Sequence, residues 1–419
     1  MRRRPLIRLL LAPLAAGSVL VPVTPAAAVP EDTGTTVKLP VLVSALDADQ
    51  ACRRGSTSRA TAVPWEQQSL QLSRTWAFSS GAGVKVAVVD TGVSAKAPAL
   101  KGRVSATRGA GDDCVGHGTF VAGLIAAAPA KGVGFAGVAR EARVLGVRGT
   151  DARGAATPAS VASGIRAAVA AGADVISVSA ALPSGSAALT AAVDEAAAHD
   201  ALVVAAAVPD GPTGSAAGAT PPAPRAYWPA AQRGVLSVLD VDVKGGRPDG
   251  AYTPLAADLA APGDGVVGIG TAGTGHFIGS GASLAAGFTA GAAALVRSAH
   301  PELTAAQTAA RLTSTAYPDV VPRLDPYAAV THVGAASDAT AGAPVQRYGE
   351  ASAVHLPVNP ADGPTTRAVL IASVAGGVVL LVAWAAVVLP RGRARRWRTV
   401  PGGAPGASGA SVPDRAGGS

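Results

Sequence analysis

The sequence predicts an α/β fold, a mostly parallel sheet covered by helices on both faces, followed by one C-terminal transmembrane helix. Three observations predict it. From Gly83 onward short apolar runs alternate with longer alanine-rich segments, as when each strand is followed by a helix that returns across the sheet. Several of the short runs are apolar at successive positions, the pattern of strands buried on both faces. Near the C-terminus residues 368–389 carry no charge, and at about 1.5 Å per helical residue they reach roughly 33 Å, enough to cross a bilayer core.

Taken in order, the chain opens with Arg2, Arg3 and Arg4, runs through the apolar stretch 9–23 and reaches Thr24-Pro25-Ala26-Ala27-Ala28. A basic start, an apolar middle and small residues before a cut are the layout of a secretory signal, here 1–28 with cleavage after Ala28. Residues 29–82 have no strong period and contain Cys52, Trp65 and Trp76; this N-terminal extension is expected to pack over the domain that follows. That domain, 83–333, begins with a strand at 84–89, apolar except for Lys85, and a helix at 118–128. Strands at 143–147, 174–179 and 201–207 then alternate with helices at 158–171 and 186–199. Residues 235–239 and 265–269 read as further strands, 284–299 as a long alanine-rich helix, and 304–314 as another helix with Pro301-Glu302 near its start. Residues 334–367, rich in Ala, Gly, Pro and Asp, form a linker. The membrane helix spans 368–389 and the tail 390–419, which is of low complexity from Pro401.

Charge fixes the expected orientation. Arg391, Arg393, Arg395, Arg396 and Arg398 follow the apolar run at once, so the positive-inside rule puts the tail in the cytoplasm and the domain outside, on a single-pass cell-membrane protein. The formal net charge of +8 does not point to a nucleic-acid partner: four arginines of the signal (+4) and six arginines with Asp414 in the tail (+5) exceed it, leaving the exported body at −1. The only cysteines are Cys52 and Cys114, and an exported location permits a disulfide, with two free thiols as the alternative. No run of cysteines and histidines has metal-ligand spacing, and no carboxylate cluster is dense enough for calcium, so neither metal nor cofactor is expected.

Chemistry enters where the strands and helices put their ends. Asp90 closes the first strand in Val88-Val89-Asp90-Thr91-Gly92, His117 stands between glycines in Gly116-His117-Gly118-Thr119, and Ser283 opens a helix after Gly279-Ser280-Gly281-Ala282. In a parallel sheet the loops at the carboxyl ends of the strands build the site. There a carboxylate holds one imidazole nitrogen while the other takes the serine proton during attack on a carbonyl, and the helix dipole supports the developing negative charge. Singly, Asp90 reads equally well as a turn residue and His117 and Ser283 as helix caps. Their order and contexts together point to a catalytic triad.

With these motifs the chain resembles the subtilisin-like serine proteases and, within them, the mycosins, the membrane-anchored proteases of type VII secretion systems. The resemblance covers the signal, extension, domain, linker, membrane helix and tail. It implies a subtilisin-like fold, a polypeptide substrate, catalysis by Asp90, His117 and Ser283, a Cys52–Cys114 bridge, and a type VII secretion membrane complex as partner. The third signature departs from the family's Gly-Thr-Ser-x-Ala-x-Pro, with Ala282 for the threonine and Gly287 for the proline, and a second bridge common in the group has no counterpart. Where subtilases continue a strand with Gly-Asn, whose amide helps bind the oxyanion, this chain has Ala207-Val208-Pro209-Asp210-Gly211, and its only asparagine is Asn359 in the linker. Proline offers neither an amide side chain nor a backbone N–H. Loss of one such donor costs about 10²–10³ in turnover. The substrate-pairing strand departs as well, reading Ser177-Val178-Ser179-Ala180-Ala181-Leu182-Pro183, while His199, His276 and His300 read as structural. Two functions follow: an exported endopeptidase weakened at its oxyanion hole, or a degenerate protease kept as a structural subunit of a secretion complex.

Overall fold

The computed structural model describes residues 37–211, 222–333 and 364–394. The signal, most of the linker and the end of the tail lie outside them. The chain divides into two compact units, 1–347 and 348–419.

In the first unit seven parallel strands form one sheet in the order β2-β3-β1-β4-β5-β6-β7. They are β1 (Lys85–Asp90), β2 (Val104–Ala106), β3 (Arg143–Arg148), β4 (Val175–Val178), β5 (Leu202–Ala206), β6 (Val235–Val241) and β7 (Leu259–Pro262). Because side chains alternate along a strand, β1 feeds two cores. Val86 and Val88 join the layer beneath α3 (His117–Ala126) and α6 (Ala282–Ala299), whereas Ala87 and Val89 join the layer beneath α4 (Pro158–Ala170) and α5 (Ala187–Ala198). Both faces of the sheet are therefore buried, which is why its strands read as unbroken apolar runs.

The helix α6 is buried at every position from Ala282 to Val296. Small residues permit this depth. A Cβ on Gly291 would stand 2.8 Å from Val138 Cβ, and one on Gly287 would stand 3.1 Å from Val121 Cγ1 of α3. The proline-to-glycine departure at Gly287 thus falls where α3 and α6 approach closely. The helices α7 (Ala305–Ser314) and α8 (Pro326–Thr331) close the unit; Thr304 caps α7 with Gln307 in a reciprocal capping box.

Residues 265–269, expected as a strand, lie outside the main sheet. They form β8 (Val266–Ile269), which pairs antiparallel with β9 (His276–Gly279) in a separate ribbon. The extension lies along that ribbon: Leu42 N–H donates to Ile278 O at 2.8 Å, and His276 N–H donates to Ser58 O at 2.7 Å. It also contributes two short helices, α1 (Trp65–Ser69) and α2 (Leu72–Thr75); Leu70, which caps α1, and Leu72 of α2 are buried in the main core.

The second unit holds α9 (Pro364–Ala394). Its segment Ile371–Arg393 has mean hydropathy 2.4 and is long and apolar enough to cross a membrane. The helix outruns the expected 368–389 at both ends. Pro364 starts it at a position where the missing N–H costs nothing, and Pro390 removes one hydrogen bond without ending it.

Candidate active site

Asp90 is the last residue of β1 and is buried, so its carboxylate needs partners. It has four contacts. His117 Nδ1 lies 2.8 Å from Oδ2 and 3.1 Å from Oδ1, Thr91 N–H donates to Oδ1 at 2.6 Å, and the Ser179 hydroxyl donates to Oδ2. Burial alone would raise the Asp90 pKa. The His117 charge and these hydrogen bonds outweigh it and hold the carboxyl below its ordinary value.

His117 is the first residue of α3, and its position depends on glycine. A Cβ on Gly118 would lie 2.1 Å from Gly92 O, so only glycine lets the helix start close against the loop after β1. Asp113 then fastens the two. Its carboxylate accepts from the Thr91 hydroxyl at 2.8 Å, Gly116 N–H at 2.7 Å, Thr119 N–H at 2.8 Å and the Thr119 hydroxyl at 2.6 Å. The next residue, Cys114, is joined to Cys52 by a disulfide, and Arg53 N–H donates to Cys114 O at 2.8 Å. The extension is thereby bonded covalently to the histidine loop.

Ser283 is the second residue of α6, at the buried helix N-terminus, and its Oγ lies 2.9 Å from His117 Nε2. The structure thus brings Asp90, His117 and Ser283 into one chain of hydrogen bonds at the carboxyl end of the sheet. In this geometry Nδ1–H faces the carboxylate and Nε2 faces the hydroxyl, as proton removal from serine requires.

Asp210, which sequence reasoning passed over in favour of Pro209, is the fourth group of the site. Its Oδ1 accepts from Ser283 N–H at 3.1 Å, its Oδ2 accepts from the Ser283 hydroxyl at 2.8 Å, and Oδ2 lies 3.4 Å from His117 Nε2. The single proton of Ser283 can face His117 or Asp210 but not both. Burial pushes the His117 pKa down, but the Asp90 charge and the hydrogen bond and charge of Asp210 carry it well above its ordinary value of 6.5. At the opposite side of this contact Gly281 has φ +152°, and a Cβ there would meet Asp210 Oδ1 at 2.0 Å, so no other residue fits. The signal for Asp210 was present in the sequence as an acid just past the carboxyl end of β5.

The cleft over these groups is lined by His117, Ser179, Ala181, Pro209 and, from the extension, Ser44 and Ala45. Leu182 exchanges two backbone hydrogen bonds with Trp228, N–H to O at 2.7 Å and 2.9 Å, so this part of the 177–183 segment is already paired. His276 Nδ1 accepts from Ala60 N–H and His300 Nε2 contacts Val330 O, both away from Ser283.

Comparison with known proteins agrees with this geometry. Residues 81–350 match the Subtilase family. Subtilisin DY of Bacillus licheniformis is 37% identical over 240 residues, covering 56% of this chain and 84% of its own length. Mycosin-4 of Mycobacterium tuberculosis is 31% identical over 375 residues, covering 78% of this chain and 82% of its own. The solved structure of MycP3 protease from the type VII (ESX-3) secretion system superposes with a TM-score of 0.59 at 31% identity, over 70% of this chain and 96% of that one.

Proposed function

Since the chain belongs to the subtilase family of serine peptidases, in its mycosin group, we propose that it is an exported, membrane-anchored serine endopeptidase acting with a type VII secretion system. Asp90, His117 and Ser283 form its triad, a polypeptide is its substrate, and the apolar segment within 368–389 holds it in the cell membrane with the domain outside. The observation that carries the reading is the chain of contacts from Asp90 through His117 Nδ1 and Nε2 to Ser283 Oγ, at 2.8 Å and 2.9 Å. In it Asp90 orients the imidazole and stabilises the imidazolium, His117 takes the serine proton and later gives it to the leaving amine, and Ser283 forms the acyl-enzyme. Kinship with a protease of a type VII system supports that partner.

One observation favours a second reading, a structural subunit with a disabled site. Pro209 brings no donor, and the Asp210 carboxylate occupies the N–H of Ser283. The deciding experiment is phosphonylation of the full chain, in detergent, by a fluorophosphonate, in which the Ser283 Oγ–P bond forms and fluoride leaves. Labelling mapped to Ser283 and abolished in Ser283→Ala supports the peptidase. No labelling, together with secretion in the host that needs the protein yet tolerates Ser283→Ala, leaves the structural reading.

A further inference from the structure

We propose that Asp210 is the oxyanion-site residue of this peptidase, shutting the site when ionised and serving as its second hydrogen-bond donor when protonated. The inference rests on the peptidase reading above. An oxyanion must lie against the backbone N–H of the nucleophile, at the start of the helix that carries it. In this structure that N–H is taken: Ser283 N–H points at Asp210 Oδ1 at 3.1 Å, and Oδ2 receives the Ser283 hydroxyl at 2.8 Å. A carboxylate at this place does two kinds of harm. It turns the serine proton away from His117, and its charge opposes the charge that develops on the substrate carbonyl.

The same carboxyl group with a proton reverses both effects. A carboxylic acid kept neutral is a known kind of oxyanion donor, offering an O–H where an amide would offer an N–H. The proton is near. His117 Nε2 and Asp210 Oδ2 are 3.4 Å apart, and moving one proton from imidazolium to carboxylate yields a neutral base and a neutral donor together, with no change in total charge. Ser283 Oγ then attacks the scissile carbonyl carbon: the C–O bond forms, the carbonyl π pair moves to oxygen, and the serine proton passes to Nε2. The substrate oxygen displaces Asp210 Oδ1 from the Ser283 N–H, and that N–H and the Asp210 O–H together hold the oxyanion. Collapse re-forms the carbonyl and breaks the C–N bond, and the amine leaves with the proton of Nε2.

The charged groups facing Asp210 are consistent with a shared proton. From α3 comes His117, from β1 behind it Asp90, and from β6 Asp240, which Arg247 pairs. Burial first, and the Asp210 charge in addition, push the Asp240 carboxyl up, while Arg247 opposes them. Asp210 thus stands beside two other carboxyl groups, Asp240 paired with Arg247 and Asp90 facing the same His117 that Asp210 contacts. With Nε2 and Oδ2 3.4 Å apart the proposal needs one proton on this pair, so activity is expected to be bell-shaped in pH. Loss of the shared proton leaves Asp210 ionised over the oxyanion site; gain of a second leaves His117 without basicity.

The test is the rate of Ser283 labelling by a fluorophosphonate, and of peptide hydrolysis, across pH for the full chain, for Asp210→Asn and for Asp210→Ala. An amide donates at every pH, so Asp210→Asn is expected to react about 10²-fold faster than the unmodified chain near pH ~8, with the advantage shrinking toward acid. Asp210→Ala, with no donor, is expected below Asp210→Asn throughout. An advantage that is absent, or the same at every pH, overturns the assignment while leaving the peptidase intact. The unmodified chain carries the test alone if a variant fails to fold: on the alkaline side its rate must fall about ten-fold per pH unit, as for loss of one proton, and a rate that stays flat there overturns the proposal. Failure of all three to label at Ser283 overturns the peptidase reading and the proposal together.

Discussion

At the scale of single residues, Glu66 shows what burial does to a charge that has too few partners. It lies fully buried in α1, accepts one hydrogen bond from Val267 N–H at 2.9 Å through Oε1, and has no partner for Oε2. Burial raises its pKa from 4.5 to about 7 against the opposing hydrogen bond from Val267. The folded state therefore holds this proton more tightly than the unfolded chain. Its contribution to stability is whole below the unfolded value of 4.5 and is lost as pH rises through about 7. The shift corresponds to about 3 kcal/mol at most. Replacing Glu66 by Gln should flatten the melting-temperature profile across that window and stabilise the chain on its alkaline side; parallel profiles for the two proteins would refute the assignment. Asp90, His117 and Ser283 were legible as candidates because each sits in a distinctive local string, Asp90 at the end of a strand and His117 and Ser283 at the start of helices. Asp113 and Ser179 were not, and Asp210 showed only as an acid past the end of β5. Their meaning lies in what they touch, and Asp210 meets Ser283 across 73 residues while Ser179 meets Asp90 across 89.

At the scale of elements, the disulfide joins the extension to the loop that carries α3, and the consequences run through both. Closing a loop of 62 residues constrains the unfolded chain by about 4 kcal/mol in the chain-entropy account. Replacing Cys52 and Cys114 by serine should lower the urea midpoint and slow fluorophosphonate labelling, because the Asp113 network beside Cys114 positions His117. Unchanged unfolding would sink the first expectation, and unchanged labelling the second. Long buried elements such as β1, β5 and α6 were readable because their apolar runs exceed what chance or a turn produces. The strands β2 and β7 were missed: Val-Ser-Ala and Leu-Ala-Ala-Pro are too short and too rich in small residues to carry a period. The strand β8 was found but could not be assigned a partner, since an apolar run states that it is buried and not against which neighbour.

For the whole molecule, the expectation that follows from the signal, the apolar helix and its arginine flank concerns sidedness. Protease added outside intact spheroplasts should digest the domain 83–333 and spare a tag fused after Ser419; a tag cut from outside would reverse the orientation. By itself the sequence determined the α/β class, the membrane-length apolar segment and the three residues in catalytic order, because hydrophobic period, run length and local motif are properties of neighbouring residues. Tertiary structure alone decided which strand ends meet, that residues 265–269 leave the main sheet for a ribbon with β9, and that a carboxylate rather than an empty place stands against the Ser283 N–H. The physical reason is the same in each case: hydrogen-bond partners and Coulombic neighbours are set by distance in space, and the fold brings within 4 Å groups that the chain keeps scores of residues apart.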